Sequence, residues 1–333
     1  MSPWKTNSRM LSRRAFISNS TAFAVAATTT AIGAGGQPVI LDTDIGDDID
    51  DTWALLMLLR MPELDLKLAV SDFGNAIYRC RLLAKLLALS GRTDVPIGIG
   101  LGRDDNPGRQ SGWIGDYRLE DYPGVMHEDG VAAIIDTIRA SPSPVTLLCI
   151  GPAPNIAEAL RRDPSIAGNA RVVGMYGSLY KGYLGEPGPV AEWNVRVDSK
   201  SLQAVFRAPW DITITPLDTC GLVALNGANY RRLHDSDDPW LRALMENYRV
   251  WLPGAPYIDP DTDPGETSTT LFDSVAIYLA AGQDLLEIRE LPLRITADGY
   301  TIIDEVNGRP VHCAVAWKDL QAFKRLLTDT LLG

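Results

Sequence analysis

The sequence predicts a single α/β domain built on a mainly parallel open sheet with helices on both faces, and a helical region and hairpin in its C-terminal third. Three observations predict it. Short apolar runs alternate with helical periodicity through the first two thirds of the chain, the order that parallel strands with crossover helices require. The first such run, Val39-Ile40-Leu41, leads directly into an acid-rich turn from Asp42 to Asp51, and open α/β sheets place their sites at the carboxyl ends of strands. With 333 residues, 46% of them hydrophobic, the chain can bury one large core.

Val39 to Asp42 reads as a buried strand, and Thr52 to Arg60 as an apolar helix that ends before Pro62. Leu66 to Ser71 is a second strand, followed by a strong helical pattern from Ile77 to Ser90 and a short strand from Val95 to Ile99. His127 to Ala140 is helical; Val145 to Ile150 is a continuous apolar strand with Asn155 to Arg161 as its helix. Arg171 to Tyr176 and Asp211 to Thr215 are strands around a helix from Ser199 to Arg207, which Asp198 caps. Helices follow at Pro239 to Trp251 and Thr270 to Ala281. Leu293 to Ile295 and Tyr300 to Asp304 flank Asp298-Gly299, a hairpin signal. Val311 to Ala316 and an amphipathic helix from Lys318 to Leu332 close the chain. The Gly/Pro-rich stretches Gly100 to Val125 and Gly177 to Glu192 follow strands, as binding loops and lids do.

The formal charge is −11, and without the four cations of residues 1–36 the rest has 27 basic against 42 acidic side chains, or −15. Such a body argues against nucleic acid as a partner, since phosphate contacts need a basic face. A neutral nucleoside or sugar meets no such barrier. At the N-terminus, Ser12-Arg13-Arg14-Ala15-Phe16-Ile17 precedes a mildly apolar stretch from Thr21 to Ala34. This resembles a twin-arginine export signal, with small residues near Ala24-Val25-Ala26 as a cleavage point. Residues 1–36 are therefore expected to be signal and linker, residues 37–333 the folded domain, and the protein periplasmic or extracellular. The stretch is too short and too polar for a stable membrane span. The four cysteines form no CxxC pair and read as buried thiols, and the three histidines lack a ligand-like spacing.

The acid turn holds Asp42, Asp44, Asp47, Asp48, Asp50 and Asp51, with no Lys or Arg between Gln37 and Leu59 to neutralise them. Like charges this close raise one another's pKa unless a cation compensates. Carboxylate oxygens without His or Cys favour Ca²⁺ or Mg²⁺ over zinc. A solvated turn capping the next helix is the plainer alternative.

Four further segments complete a set: Phe73-Gly74-Asn75, the strand and turn from Thr146 to Ala157, Ala191-Glu192-Trp193-Asn194, and Phe272-Asp273. In this order, with the acid turn, they resemble the inosine–uridine-preferring nucleoside hydrolase family from Val39 to the C-terminus. The resemblance implies a Rossmann-like nucleoside hydrolase fold, one tightly held Ca²⁺, and hydrolysis of ribonucleosides to ribose and free base. Carried over by position, Asp44, Asp51, the Ile150 carbonyl and Asp273 are metal ligands, Asp51 bidentate, and Asp44 doubles as general base. Asp50 and Asn194 meet ribose hydroxyls, Glu192 lies near the 5′ end of the sugar, and Asn75 is a further candidate.

The chain departs from the family pattern in two places. Two extra residues separate Gly46 from Asp50-Asp51, which makes Asp48 an additional or substitute ligand and leaves the roles of Asp47, Asp48 and Asp50 open. Many members place a His immediately before the last aspartate, where Phe272 stands here, and another in the loop after the third strand, where Trp113 lies. Aromatics at both positions resemble the purine-preferring branch, in which rings stack on the base, so purine nucleosides are expected over pyrimidines. Members are commonly dimers or tetramers, which implies a homo-oligomer. Two rival readings remain. One is an exported nucleoside- or sugar-binding protein that kept the fold and metal but lost turnover. The other is a haloacid-dehalogenase-like phosphatase using Asp42-Thr43-Asp44, although that family expects Thr or Val where Gly46 stands.

Overall fold

In a computed structural model of the chain, residues 35–333 are described; the expected export signal lies outside the described residues. The first half runs β1 (Gln37–Thr43), α1 (Asp50–Leu59), β2 (Leu64–Ser71), α2 (Ala76–Leu89), β3 (Ile97–Gly98), α3 (Ser111–Ile114), β4 (Met126–His127), α4 (Gly130–Ala140), β5 (Val145–Cys149) and α5 (Pro154–Arg162). The second half runs β6 (Ala170–Met175), α6 (Trp193–Val197), α7 (Ser199–Arg207), β7 (Ile212–Thr215), α8 (Gly227–His234), α9 (Pro239–Trp251), α10 (Phe272–Ala281), β8 (Leu286–Ile295), β9 (Thr301–Ile303), β10 (Arg309–Trp317) and α11 (Leu320–Leu332).

The strands form one ten-stranded sheet in the order β4-β3-β2-β1-β5-β6-β7-β10-β8-β9. Pairing is parallel from β4 across to β10. The last two strands, β8 and β9, add antiparallel. The chain leaves β1 toward β2, β3 and β4, then returns to place β5 on the other side of β1. The acid turn therefore leaves β1 at the point where the strand order reverses, the crevice in which open α/β sheets bind ligands.

Alternation along β1 serves two cores. Val39 and Leu41 pack into the layer holding Trp53, Tyr230, Leu244 and Phe323, while Ile40 packs with Ile134, Ile156 and Leu202 on the other face. Helices thus cover both faces, as expected. Cys80, Cys149, Cys220 and Cys313 are all free and buried. Among the described residues, no helix is long and apolar enough to cross a membrane.

Four local differences have physical causes. Helix α1 begins at Asp50, not Thr52, so two of the acids occupy its first turn. The helix expected from His127 begins at Gly130, because His127 pairs with Gly98 at the sheet edge and Asp129 caps the helix through Ala132 N. Strand β8 reaches back to Leu286, since β10 pairs with it from Trp317 to Arg309. Helix α8 was not expected: its sequence, Gly227 to His234, has only two buried side chains, Tyr230 and Leu233. The Asp298-Gly299 turn forms as expected. There Gly299 has φ +85° and a Cβ would lie 2.5 Å from Arg196 Cα, so only glycine fits.

Candidate active site

The acid turn is locked before any ligand is considered. Gly46 has φ +102°, and a Cβ there would lie 2.7 Å from the Tyr78 ring. The Tyr78 hydroxyl donates to the Gly46 carbonyl at 3.1 Å and accepts from Gln110 N–H at 2.9 Å. Thr43 Oγ1 donates to Asp51 and accepts from Ile45 N–H. The chain therefore enters α1 with Asp50 and Asp51 turned inward and buried.

Those two acids meet a third from far along the sequence. Asp50, Asp51 and Asp273 each offer a carboxylate oxygen, all within 4.8 Å of one another. Asp273 sits in the first turn of α10, and its N–H donates to Asp50 Oδ2 at 3.2 Å. Asp44 is 5% exposed and lies against the backbone that follows β5: a Cβ on Gly151 would be 2.9 Å from its N and 3.1 Å from its Oδ1. The neighbouring Ile150 carbonyl accepts from Asn194 Nδ2 at 3.4 Å, which also donates to the Met175 carbonyl at 3.2 Å. Asn194 Oδ1 accepts from no protein donor among the described residues. Glu192 caps α6 and accepts three backbone N–H groups, from Gly177, Asn194 and Val195.

Burial dominates the electrostatics. It raises the Asp44 carboxyl to about 7; Arg79 opposes the shift, and Asp47 and Asp48 add to it. Asp48 is raised to about 6, chiefly by desolvation. Asp50, Asp51 and Asp273 are pushed well above the usual carboxylate range by desolvation first; neighbouring charge adds to it, from Asp48 and Asp44 on Asp50, from Asp44 and Asp50 on Asp51, and from Asp50, Asp51 and Asp44 on Asp273. Glu192 rises to about 7 by burial, despite its backbone donors. The cluster therefore cannot be fully anionic near neutral pH without a compensating cation. Its donor set is carboxylate oxygen, which fits a hard divalent cation.

Several expected site residues stand elsewhere. Asp48 is outside the tight triad: its Oδ1 accepts from Ile49 N–H at 2.6 Å and its carbonyl accepts from Gln110 at 3.4 Å. Asp50, expected against ribose alone, is inside it, because helix α1 starts early enough to turn it toward Asp273. Asn75 is committed locally, its Oδ1 accepting from Tyr78 N–H and its Nδ2 donating to the Asn106 carbonyl. Trp113 is buried in the core, with the Lys85 ammonium 4.1 Å from its ring centroid, so its faces are covered by protein. Phe272 is partly buried and meets Tyr183 edge-on, centroids 6.1 Å apart at 85°.

Other site residues were not anticipated. Arg79 is buried in α2 and donates Nε to the Phe73 carbonyl at 3.0 Å and Nη1 to the Ile45 carbonyl at 3.1 Å, tying two loops together. An Arg in a helical pattern reads as solvent-facing, so only the acids around it could have signalled its burial. Asp72 accepts from Ala153 N–H at 2.9 Å, and Asn155 donates to Asp42 at 2.7 Å and to the Ser71 carbonyl at 3.0 Å. Their signal was position alone: Asp72 stands just past β2, and Asn155 in the first turn of the helix that follows β5.

Comparison with known proteins supplies an independent line. A family model described as inosine-uridine preferring nucleoside hydrolase matches residues 39–325. The pyrimidine-specific ribonucleoside hydrolase RihA of Salmonella arizonae is 31% identical over 318 residues, covering 88% of this chain and 98% of that protein. Among solved structures, a plant nucleoside hydrolase, PpNRh1, superposes with a TM-score of 0.76 at 21% identity, covering 89% of this chain and 99% of its own. A purine-preferring ribonucleoside hydrolase from Gardnerella vaginalis superposes at 0.69 and 23% identity, with coverage of 89% and 99%.

Proposed function

Since the chain belongs to the inosine-uridine preferring nucleoside hydrolase family, hydrolases of the N-glycosyl bond of ribonucleosides, we propose that it releases free base and ribose using Ca²⁺, with Asp44 as general base. The observation that carries this reading is the buried triad of Asp50, Asp51 and Asp273 beside Asp44 at the sheet's switch point. The residues that would hold the metal are Asp44, Asp51, Asp273 and the Ile150 carbonyl, with Asp50 drawn close by the start of α1. A bound divalent cation supplies Lewis acidity and a positive charge among these acids.

The remaining chemistry belongs to the chain. Asp44 takes a proton from the attacking water. Asp50 and Asn194 Oδ1 accept from ribose hydroxyls and hold the anomeric carbon in place. The surrounding carboxylates favour the positive charge that builds on the sugar ring as the glycosidic bond lengthens. Glu192, already held by three backbone donors, is a rigid acceptor for the 5′ end of the sugar.

The purine preference rests on the aromatic corner of Phe272 and Tyr183; Trp113 adds nothing to it, being enclosed. Export by the twin-arginine segment and assembly into dimers or tetramers belong to the same reading, and are tested by cell fractionation and light scattering.

The decisive experiment incubates the protein with inosine and uridine, with Ca²⁺ or with chelator, and follows free base by chromatography. Hypoxanthine should appear, faster than uracil, and stop on chelation. Calorimetric binding of inosine without any release of base would replace hydrolysis with a binding function.

A further inference from the structure

Asp47 stands in the lengthened stretch between Gly46 and the Asp50-Asp51 pair, and the reaction above leaves it unused. The protein nonetheless grips it from two sides. Arg109, in the loop after β3, donates Nη1 to the Asp47 carbonyl and to its Oδ1, each at 2.8 Å. From the segment around the end of α9, Trp251 Nε1 donates to the same carbonyl at 2.9 Å. The guanidinium carbon of Arg109 lies 5.1 Å from the Tyr257 ring centroid, and Nη1 reaches the Tyr257 hydroxyl at 3.2 Å.

An Arg held this way has a fixed direction and donors to spare. All its hydrogen bonds run through Nη1; Nε and Nη2 meet no acceptor among the described residues, and the side chain is 30% exposed. A guanidinium carries five N–H groups in a rigid plane, so fixing one nitrogen aims the others. The fork stands at the rim of the acid cluster. It holds Asp47 of the acid turn directly, and the next residue, Gln110, donates Nε2 to the Asp48 carbonyl at 3.4 Å.

We propose that Arg109 is a leaving-base residue, whose Nε and Nη2 donate to acceptor atoms of the departing nucleobase. The assignment rests on the hydrolysis proposed above. In that step the bond from C1′ to the base nitrogen breaks and its electron pair goes to the base. Water oxygen bonds to C1′, its proton goes to Asp44, and the base takes a proton from solvent. Arg109 transfers none: a guanidinium keeps its protons, and its donors stabilise the charge that spreads over the ring nitrogens and carbonyl oxygens of the base.

The test compares wild type, Arg109→Met and Arg109→Lys on inosine, uridine and 4-nitrophenyl β-ribofuranoside, whose leaving group departs as a stable anion. Arg109→Met should lower kcat/KM on both nucleosides roughly 10- to 100-fold, the worth of a charge-assisted hydrogen bond. On the nitrophenyl riboside the change should stay under about threefold. Arg109→Lys keeps a cation beside Asp47 without the planar fork, so it should show the same selective loss in smaller measure, and it decides the matter if the Met variant does not fold. An equal loss on all three substrates would make Arg109 a prop for the turn, and no loss would remove it from the site; either overturns the proposal. If wild type cleaves none of the three, the hydrolase reading itself fails. Calorimetry with hypoxanthine and with ribose then decides on Arg109: weakened binding of the base alone supports the role, and unchanged binding overturns it.

Discussion

The backbone N–H of Asp273 donates to Oδ2 of Asp50 at 3.2 Å, across 223 positions of sequence. The bond joins the first turn of α10 to the first turn of α1. Both helix N-termini present N–H groups without an acceptor inside the helix and the positive ends of their dipoles, which favour carboxylates. The fold thereby concentrates acids where backbone dipoles partly offset their repulsion, and leaves the remaining charge for a cation.

Asp273→Asn and Asp51→Asn should each weaken Ca²⁺ binding by more than about 100-fold, beyond the loss caused by removing a residue that only orients a ligand. In chelator the same substitutions should leave the melting temperature unchanged or higher, because each removes one of several repelling buried acids. Calorimetry with Ca²⁺ and melting with and without chelator check both halves.

Asp44→Asn should lower kcat by about 10² to 10⁴, the usual worth of a positioned base. Single-turnover kinetics on inosine at saturating Ca²⁺ measures it. A variant that binds Ca²⁺ and keeps near-normal turnover would remove Asp44 as the base.

The metal-free protein should lose stability as pH rises. Asp42 and Asp44 have carboxyls raised from 3.8 to about 7, so between those values the folded state holds more protons than the unfolded one. Stability from this source is complete below about pH 4 and falls as pH climbs through about 7. Ca²⁺ binds the anionic form, so the gap in melting temperature between Ca²⁺ and chelator should widen over that interval. A constant gap across it would contradict the assignment.

Arg79→Met should cost about 3 kcal/mol or more, measured by urea unfolding. It strands the carbonyls of Ile45 and Phe73 and removes a buried cation from beside Asp44 and Asp51. Arg79→Lys, with one nitrogen for two carbonyls, should recover part of the loss.

Phe272→Ala should alter the inosine-to-uridine ratio of kcat/KM by about 2- to 12-fold, the range that aromatic stacking commands. Trp113→Ala should leave that ratio in place and cost about 3–5 kcal/mol of stability instead, as expected for an enclosed core aromatic.

By itself, the sequence determined the alternating α/β order, the strand ending in Asp42, the buried thiols and the hairpin at Asp298-Gly299. These follow from hydrophobic period, turn chemistry and charge within about ten residues, where local physics suffices. It also singled out Asp44, Asp51 and Asp273, through motifs in their order along the chain. Only the tertiary structure decided that Asp50 joins the triad, that Arg79 is buried among acids, and that Trp113 is closed beneath Lys85. Each of those outcomes depends on which helix packs against which across the sheet. A side chain's burial and partners are then set by residues tens to hundreds of positions away, and no local pattern encodes them.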